Sequence, residues 1–158
     1  MLKQELKEVS TAMEQDTNIP VSVTVESEIQ MGDDAERHHT HTDGTLIHKG
    51  SATYLQYKEV IEGAGSVNNV IKITNDGILI LRSGSVSMKQ KFLIGQTTKG
   101  MYDSPYGQLW METTTDKMNF RYNQQKKEGD LLLSYGLVLQ GEDTGKHTIK
   151  IAFQGAKA

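Results

Sequence analysis

Alternation of apolar and polar residues recurs in short segments along most of the chain, and this two-residue period constrains the fold more than any other feature. Between Val21 and Ile29, the valines and the isoleucine occupy one face of an extended strand, whereas threonine and glutamates occupy the other. The same alternation returns between Val86 and Ile94. Because side chains of a strand point alternately to its two faces, each segment predicts a strand with one face in a core and one in water.

The longest apolar block, residues 70–108, is divided by tight turns into pieces of strand length. An Asn-Asp-Gly sequence at 75–77 separates Val70–Thr74 from Ile78–Arg82, and these residue types favour the turn of a hairpin. Both faces of Ile78–Arg82 carry isoleucine or leucine. This strand is therefore predicted to be covered on both sides.

The whole chain contains about nine or ten such strands, with no convincing helix after residue 18. Since they follow one another through simple hairpin turns, we predict an all-β fold made of a single closed antiparallel barrel of about 8–10 strands. A Greek-key sandwich would need longer connections. The predicted strands are Val21–Ile29, Glu36–Ile47, Ala52–Ile61, Val70–Thr74, Ile78–Arg82, Ser85–Ile94, Gly107–Thr115 with a continuation through Met118–Tyr122 past a bend near Asp116, Leu131–Leu139 and Ile149–Phe153.

The chain of 158 residues is predicted to form one domain. Residues 19–156 would form the barrel, and residues 1–18 a tail or a short helix. This N-terminal segment could dock as a lid or a partner-binding helix, or it could remain a frayed terminus. Its apolar residues recur at spacings of four, three and four, and they are Leu2, Leu6, Val9 and Met13.

Composition excludes several classes of function. The absence of cysteine excludes disulfides, thiolate metal sites and thiol nucleophiles. A net charge of −3 at pH 7 disfavours a nucleic-acid partner. No apolar run is long enough for a membrane helix, and the charged N-terminus does not resemble a secretory signal. We therefore predict a cytoplasmic protein without nucleic-acid or membrane partners and without a cofactor.

The run Leu81–Phe92, LRSGSVSMKQKF, carries the most specific resemblance to a known family. It resembles the YwiB-like family, small bacterial proteins of unknown function with a calycin-like, lipocalin-type β-barrel. The resemblance spans about residues 20–155 and implies the barrel, a bacterial cytoplasmic setting and no assigned activity. It supplies no catalytic residues, and it does not extend to the N-terminal segment or the histidines. The further matching residues are Gly95, Thr98, Tyr102, Gly107, Thr113 and Thr115.

Polar residues on the faces assigned to the barrel interior form the first candidate site. Apolar walls with a few convergent polar groups are typical of small-molecule pockets, and a barrel of this size can leave a cavity. Arg82 would anchor the polar end of a ligand, because an inward guanidinium requires an anion or several carbonyl groups. Alternatively, Arg82 lies at the rim and bonds neighbouring backbone while side chains fill the interior. The predicted ligand-binding residues are Arg82, Gln90, Thr98, Tyr102, Thr113, Thr115 and Tyr135.

Three histidines within residues 38–41 form a weaker candidate site. His39 and His41 would share one face of a strand about 7 Å apart, and Glu36 or Asp43 could turn in as a third metal ligand. Adjacent histidines also occur on exposed strand edges without binding a metal, and no H-E-x-x-H helix is present. We therefore predict no resident metal.

Signs of catalysis are sparse in this sequence. The chain has no G-x-S-x-G elbow, and Gly63 and Gly65 precede a strand rather than the helix that a phosphate-binding loop would open. The acidic residues fall almost entirely on predicted outward faces or in turns, so no pair is placed for acid–base catalysis. The sequence favours a binding protein over an enzyme, and a small-molecule enzyme acting inside the barrel stays an alternative.

Trp110 falls on the predicted outward face beside Glu112. An exposed tryptophan often marks a contact surface, so this face could bind a partner protein or form a homodimer. A loop or the N-terminal segment could instead cover the indole. The leading hypothesis is a barrel that binds a small apolar or amphipathic molecule, and the alternative is a protein-interaction module with a filled barrel.

Overall fold

The computed structural model describes residues 18–63 and 65–155, and within these ranges the regular elements are all β-strands. No helix in this part of the chain is long and apolar enough to cross a membrane. The predicted N-terminal tail or helix lies outside the described residues, apart from Asn18, which begins the first strand. The strands are β1 (Asn18–Met31), β2 (Asp34–Lys49), β3 (Ala52–Ile61), β4 (Gly65–Ile73), β5 (Ile78–Gly84), β6 (Ser87–Phe92), β7 (Thr97–Ser104), β8 (Gly107–Asn123), β9 (Glu128–Leu139) and β10 (Glu142–Gly155).

These ten strands form one closed barrel in which each strand pairs antiparallel with its neighbours in the chain. The first and last strands close the ring, and Val25 of β1 lies opposite Ile151 of β10. Closure gives every strand a paired neighbour on each side, although residues 34–43 of β2 pair with β1 alone. The predicted closed antiparallel barrel with simple hairpin connections is therefore confirmed.

Closure fixes which side chains point inward. The apolar face of each alternating segment lines the interior, so the valines of β1 face the core while its threonine and glutamates face outward. Burying a side chain of this size stabilises a fold by about 1.5–3 kcal/mol. The core residues include Val21, Val23, Leu46, Leu55, Ile71, Ile80, Phe92, Leu133, Ile151 and Phe153.

The sequence pattern does not delimit β7 as a separate strand, because this segment lacks an apolar alternation. It contains Gly100, and a Cβ atom at this position would lie 2.5 Å from the Lys89 carbonyl oxygen. The strand is therefore recognised by its backbone pairing rather than by its side chains. β8, in contrast, continues past the predicted bend, with a register shift between Thr115 and Lys117.

The two ends of the barrel differ. At the end where β1 begins, the Phe153 ring lies 6.3 Å from Phe120 and 6.0 Å from Tyr122, measured between ring centroids. His48 lies 5.0 Å from Tyr122 at the same end. We call this the aromatic end. The opposite end, formed by the β1–β2, β3–β4, β5–β6, β7–β8 and β9–β10 turns, is called the open end.

Gly44 lies on β2 where its surroundings leave no room for a side chain. A Cβ atom there would lie 2.5 Å from the Gln56 carbonyl oxygen and 2.8 Å from Val23 Cγ2. Gly44→Ala is therefore expected to lower the free energy of unfolding by about 1–3 kcal/mol through overpacking. The matched control is Gly136→Ala, because a Cβ atom at Gly136 meets nothing within 4 Å. Urea denaturation measures both variants, and equal midpoints would contradict this packing.

Candidate ligand-binding site

A cavity of about 580 Å³ extends into the barrel from the open end. Its volume falls in the range of about 300–1,000 Å³ that is typical of small-molecule sites. The walls are predominantly apolar and come from strands on opposite sides of the barrel. The interior is thus packed with rings at the aromatic end and hollow toward the open end. The apolar lining includes Ile80, Met88, Met111, Leu137, Ile149 and Ile151.

A charged cluster lies on the cavity wall formed by β3, β4 and β5. Arg82 donates from Nη2 to Glu59 Oε1 over 2.7 Å and from Nε to Asn69 Oδ1 over 3.2 Å. Asn69 Nδ2 donates to the same Glu59 oxygen over 3.0 Å. The Arg82 and Glu59 side chains are 20% and 25% exposed, so the pair is partly shielded from water. We call this hydrogen-bonded unit the Glu59–Asn69–Arg82 cluster.

Glu59 is an exception to the expectation that acidic residues face outward. It follows Tyr57 by two residues on β3, so both side chains point to the same, inner face. Its carboxylate balances Arg82, and the guanidinium therefore does not require an anionic ligand. Arg82 bonds side chains rather than the neighbouring backbone that the alternative interpretation proposed. These bonds use part of its N–H donors and leave others for a group in the cavity.

Gln90 and Tyr135 form a second polar group deeper in the barrel. Gln90 Nε2 donates to Thr113 Oγ1 over 3.0 Å. The Phe92 ring packs edge to face against Tyr135, with 5.0 Å between ring centroids. The His147 ring stacks on Tyr135 from a centroid distance of 5.1 Å. Burial raises the pKa of Tyr135 to about 12, while a hydrogen bond with Gln90 acts in the opposite direction. The phenol therefore stays neutral and keeps its proton.

Burial also controls the protonation of other groups around the interior. It raises the pKa of Tyr57, which the nearby Glu59 raises further and Arg82 lowers. It lowers the pKa of His147, and Asp143 acts in the opposite direction. These shifts favour uncharged tyrosine and histidine side chains beside the cavity.

The predicted ligand-binding residues are only partly brought together. Thr113 accepts a hydrogen bond from Gln90. Thr98 donates to the Lys91 carbonyl oxygen, and Thr115 Oγ1 is buried without a partner among the described residues. None of these threonines lines the cavity, and a binding role for the set stays a prediction. The predicted residues that line the cavity are Arg82, Gln90, Tyr102 and Tyr135.

Sequence reasoning missed Glu59 and Asn69, although their positions carried a usable signal. Glu59 shares a strand face with Leu55 and Tyr57, which belong to the core. Asn69 shares one with Ile71 and is itself buried. Strand parity therefore places both residues inside, whereas the usual preference of polar residues for the surface places them outside.

The histidines of β2 do not assemble a metal site. His41 Nδ1 lies 3.1 Å from Thr24 Oγ1 on the outer surface. Glu36, a candidate third ligand, instead lies 3.2 Å from His38 Nε2 through its Oε1 atom. Across residues 18–63 and 65–155, no group of three or more His, Asp or Glu side chains is placed to hold a metal ion. His39 and His41 thus lack the geometry considered from the sequence.

Trp110 points outward from β8 and is 60% exposed, in agreement with its predicted position. It borders a hollow of about 900 Å³ on the outer surface of the barrel, separate from the interior cavity. The hollow combines apolar side chains with lysines, which outnumber its two aspartates, Asp76 and Asp103, so it differs in chemistry from the interior. Its lining includes Leu79, Met101, Lys89, Lys91 and Lys99.

Residues 23–151 match a family described as a domain of unknown function, DUF1934. The chain belongs to this family. The uncharacterised β-barrel protein YwiB of Bacillus subtilis strain 168 is 28% identical over 143 residues, which cover 90% of this chain and 97% of that protein. The crystal structure of the Bacillus subtilis ywiB protein matches with a TM-score of 0.82 and 25% identity, covering 94% of this chain and 99% of that chain. The resemblance to the YwiB-like family is confirmed, and DUF1934 carries no assigned function.

The raised pKa of Tyr135 predicts that the DUF1934 barrel loses stability at high pH. The folded state holds the phenol proton more tightly than the unfolded chain, in which tyrosine ionises at about pH 10. The free energy of unfolding should therefore fall as the pH rises from about 10 to 12, by about 2–3 kcal/mol for this residue. Tyr135→Phe should remove this part of the loss, as measured by denaturant titrations across the pH range.

Tyr106→Phe is the control for this measurement, because the Tyr106 side chain is 99% exposed. It should retain the pH dependence of the unaltered protein. If Tyr135→Phe loses stability between about pH 10 and 12 as steeply as the unaltered protein, the pKa of Tyr135 is not raised in the folded state.

Proposed function

We propose that this DUF1934 barrel binds one small amphipathic molecule through its open end. The observation that carries the proposal is an apolar cavity of about 580 Å³ with the Glu59–Asn69–Arg82 cluster on its wall. The apolar walls would contact the body of the ligand, and the cluster would contact its polar end. Concave apolar sites with a few convergent polar groups are the usual form of small-molecule pockets.

The charge balance of the cluster favours a ligand whose polar end is uncharged. An anionic group near Arg82 would also meet the Glu59 carboxylate, and a cationic group near Glu59 would meet the guanidinium. An alcohol or amide can instead accept a hydrogen bond from Arg82 and donate one to Glu59. Arg82 thus keeps its predicted role as the orienting residue, and Gln90 would supply a second polar contact deeper inside.

Protein binding through the Trp110 surface is the second candidate function. An exposed indole beside apolar side chains and several lysines suits an acidic partner protein. A twofold homodimer through this surface would bring lysines of the two copies together, which disfavours it. The interaction hypothesis assumed a barrel filled by side chains. Because the barrel has an interior cavity, ligand binding is the preferred candidate.

The cytoplasmic setting and the kinship with calycin-type barrels belong to the same proposal. Both rest on what the YwiB-like motif at Leu81–Phe92 implies. An enzyme acting inside the barrel stays a third candidate. The neutral Tyr135 next to Gln90, and His147 stacked on the Tyr135 ring, would be the groups to test first for such chemistry.

Filling the cavity should weaken binding of an apolar probe. Met88 lines the cavity, and Met88→Trp would place a larger side chain in the volume that a ligand needs. The uncharged dye N-phenylnaphthylamine is expected to bind the unaltered barrel in a one-to-one complex with enhanced fluorescence. Met88→Trp should weaken this binding by at least about tenfold, measured by fluorescence titration.

The matched control is Lys150→Trp, which adds the same side chain at an exposed outward position on β10. It should bind the dye as the unaltered protein does. The proposal fails if the unaltered barrel does not bind the dye, or if both tryptophan variants bind it equally well.

The nature of the polar end can be tested by competition. A medium-chain alcohol or primary amide should displace the dye at lower concentration than the carboxylate of the same chain length, because Glu59 repels the anion. Arg82→Met should reduce the affinity for the alcohol and the amide by about 5–100-fold, since it removes the donors that hold them. Isothermal titration with each compound measures the effect. Unchanged affinities in Arg82→Met would show that the residue does not contact the polar end.

A further inference from the structure

A group of buried apolar residues lies on the outside of the barrel wall formed by β2, β3, β4 and β5. Their chain neighbours Leu46, Leu55, Ile71 and Ile80 belong to the interior core, so strand alternation directs this second group outward. We call the group the outer apolar patch. Its members pack together and are only 0–4% exposed, and they are Ile47, Tyr54, Val70 and Leu81.

Such burial is unusual for the outer surface of a barrel. Elsewhere on the outside, Trp110 is 60% exposed, and Lys150 and Ala152 are exposed as well. Side chains that point away from a single sheet layer normally contact water unless another element covers them. Val70 is nevertheless 2% exposed, and Gln56 Oε1 beside it is also inaccessible. The outer apolar patch is therefore covered.

The described residues do not account for this cover. Residues 18–63 and 65–155 are strands of the barrel wall and the turns between them. Ala52 and Leu79 pack against the patch from the same wall, and the Lys72 Nζ atom lies 5.8 Å from the centre of the Tyr54 ring. These side chains belong to the strands that carry the patch and do not form a layer over it. Residues 156–158 span at most about 10 Å from the end of β10, so they could reach β2, two strand spacings away, but not β5, which lies five spacings or about 24 Å away. They are therefore too short to cover the whole patch.

We propose that residues 1–17 bind across the outer apolar patch. The segment joins β1 at Asn18, which pairs with the patch residue Ile47, so it enters the surface beside the patch. A helix of this length would be about 25 Å long, enough to cross from β1 to β5, which is about 19 Å. The apolar side chains that would contact the patch share one side of such a helix, and they are Leu2, Leu6, Val9 and Met13.

The position of the patch connects this docking to the candidate ligand site. Leu81 directly precedes Arg82 on β5, and Val70 directly follows Asn69 on β4. The same strands therefore carry the patch on their outer face and the Glu59–Asn69–Arg82 cluster on their inner face. Residues 1–17 would brace the wall that holds the cluster. This inference does not depend on the proposed function, because it concerns the outside of the barrel alone.

Single cysteines provide the test, because the natural chain contains none. The full chain carrying Val70→Cys is treated with a maleimide, and labelling is followed by mass spectrometry. The thiol should react slowly, and adding Leu6→Glu should accelerate the reaction at least about tenfold because the charge would release the segment. Lys7→Glu introduces the same side chain next to the apolar stripe and should have little effect.

Two further positions separate undocking from unfolding. Ile151→Cys faces the core and should react slowly in every background, whereas Ala152→Cys is exposed and should react rapidly in all of them. If Leu6→Glu accelerates Ile151→Cys as well, Leu6→Ala replaces it as the releasing variant. The proposal is overturned if Val70→Cys reacts as fast as Ala152→Cys in the full chain, or if its slow reaction is unaffected by the releasing variant. Protection of Val70→Cys that disappears on dilution would assign the cover to a second copy of the chain and also overturn it.

Discussion

Pairing of β1 with β10 is the constraint on which the rest of the molecule depends. It closes ten strands into a ring, and closure fixes the register of every strand relative to its neighbours. Because a shift of one residue would exchange the two faces of a strand, this register decides which side chains share the interior. The core, the cavity and the outer apolar patch all follow from it.

The wall formed by β3, β4 and β5 carries the Glu59–Asn69–Arg82 cluster. Its inner face carries a carboxylate, an amide and a guanidinium that satisfy one another beside an apolar cavity. Breaking such a pair leaves a poorly solvated charge, so the cluster is held together more strongly than an exposed ion pair. A balanced cluster offers hydrogen bonds without a net charge. This property favours recognition of an uncharged polar group.

Alternation in the sequence predicted most of the fold, since it is imposed by the geometry of a strand. It located the inward Arg82 and Gln90 and the outward Trp110, and it indicated that β5 is covered on both faces. It missed the inward Glu59 because an acidic residue was assigned by its type rather than by its place on the strand. It did not delimit β7, where pairing of the backbone replaces apolar side chains.

The cavity is the feature that no local pattern could establish. Its volume depends on the radius of the closed ring and on how far the side chains of opposite strands reach across it. The aromatic rings around Phe153 fill one end, and the shorter aliphatic side chains toward the open end do not. Thr98, Thr113 and Thr115 share the inner face predicted for them but do not line the cavity, so their binding role stays a prediction.

Native mass spectrometry would show directly whether the cavity holds a ligand. The purified chain would be incubated with a total extract of bacterial small molecules, separated from the excess and sprayed under conditions that preserve weak complexes. If the cavity binds a ligand as proposed, the spectrum should contain a species heavier than the bare chain by one uncharged amphipathic molecule, which collisional activation releases. A spectrum containing the bare chain alone would contradict the proposal.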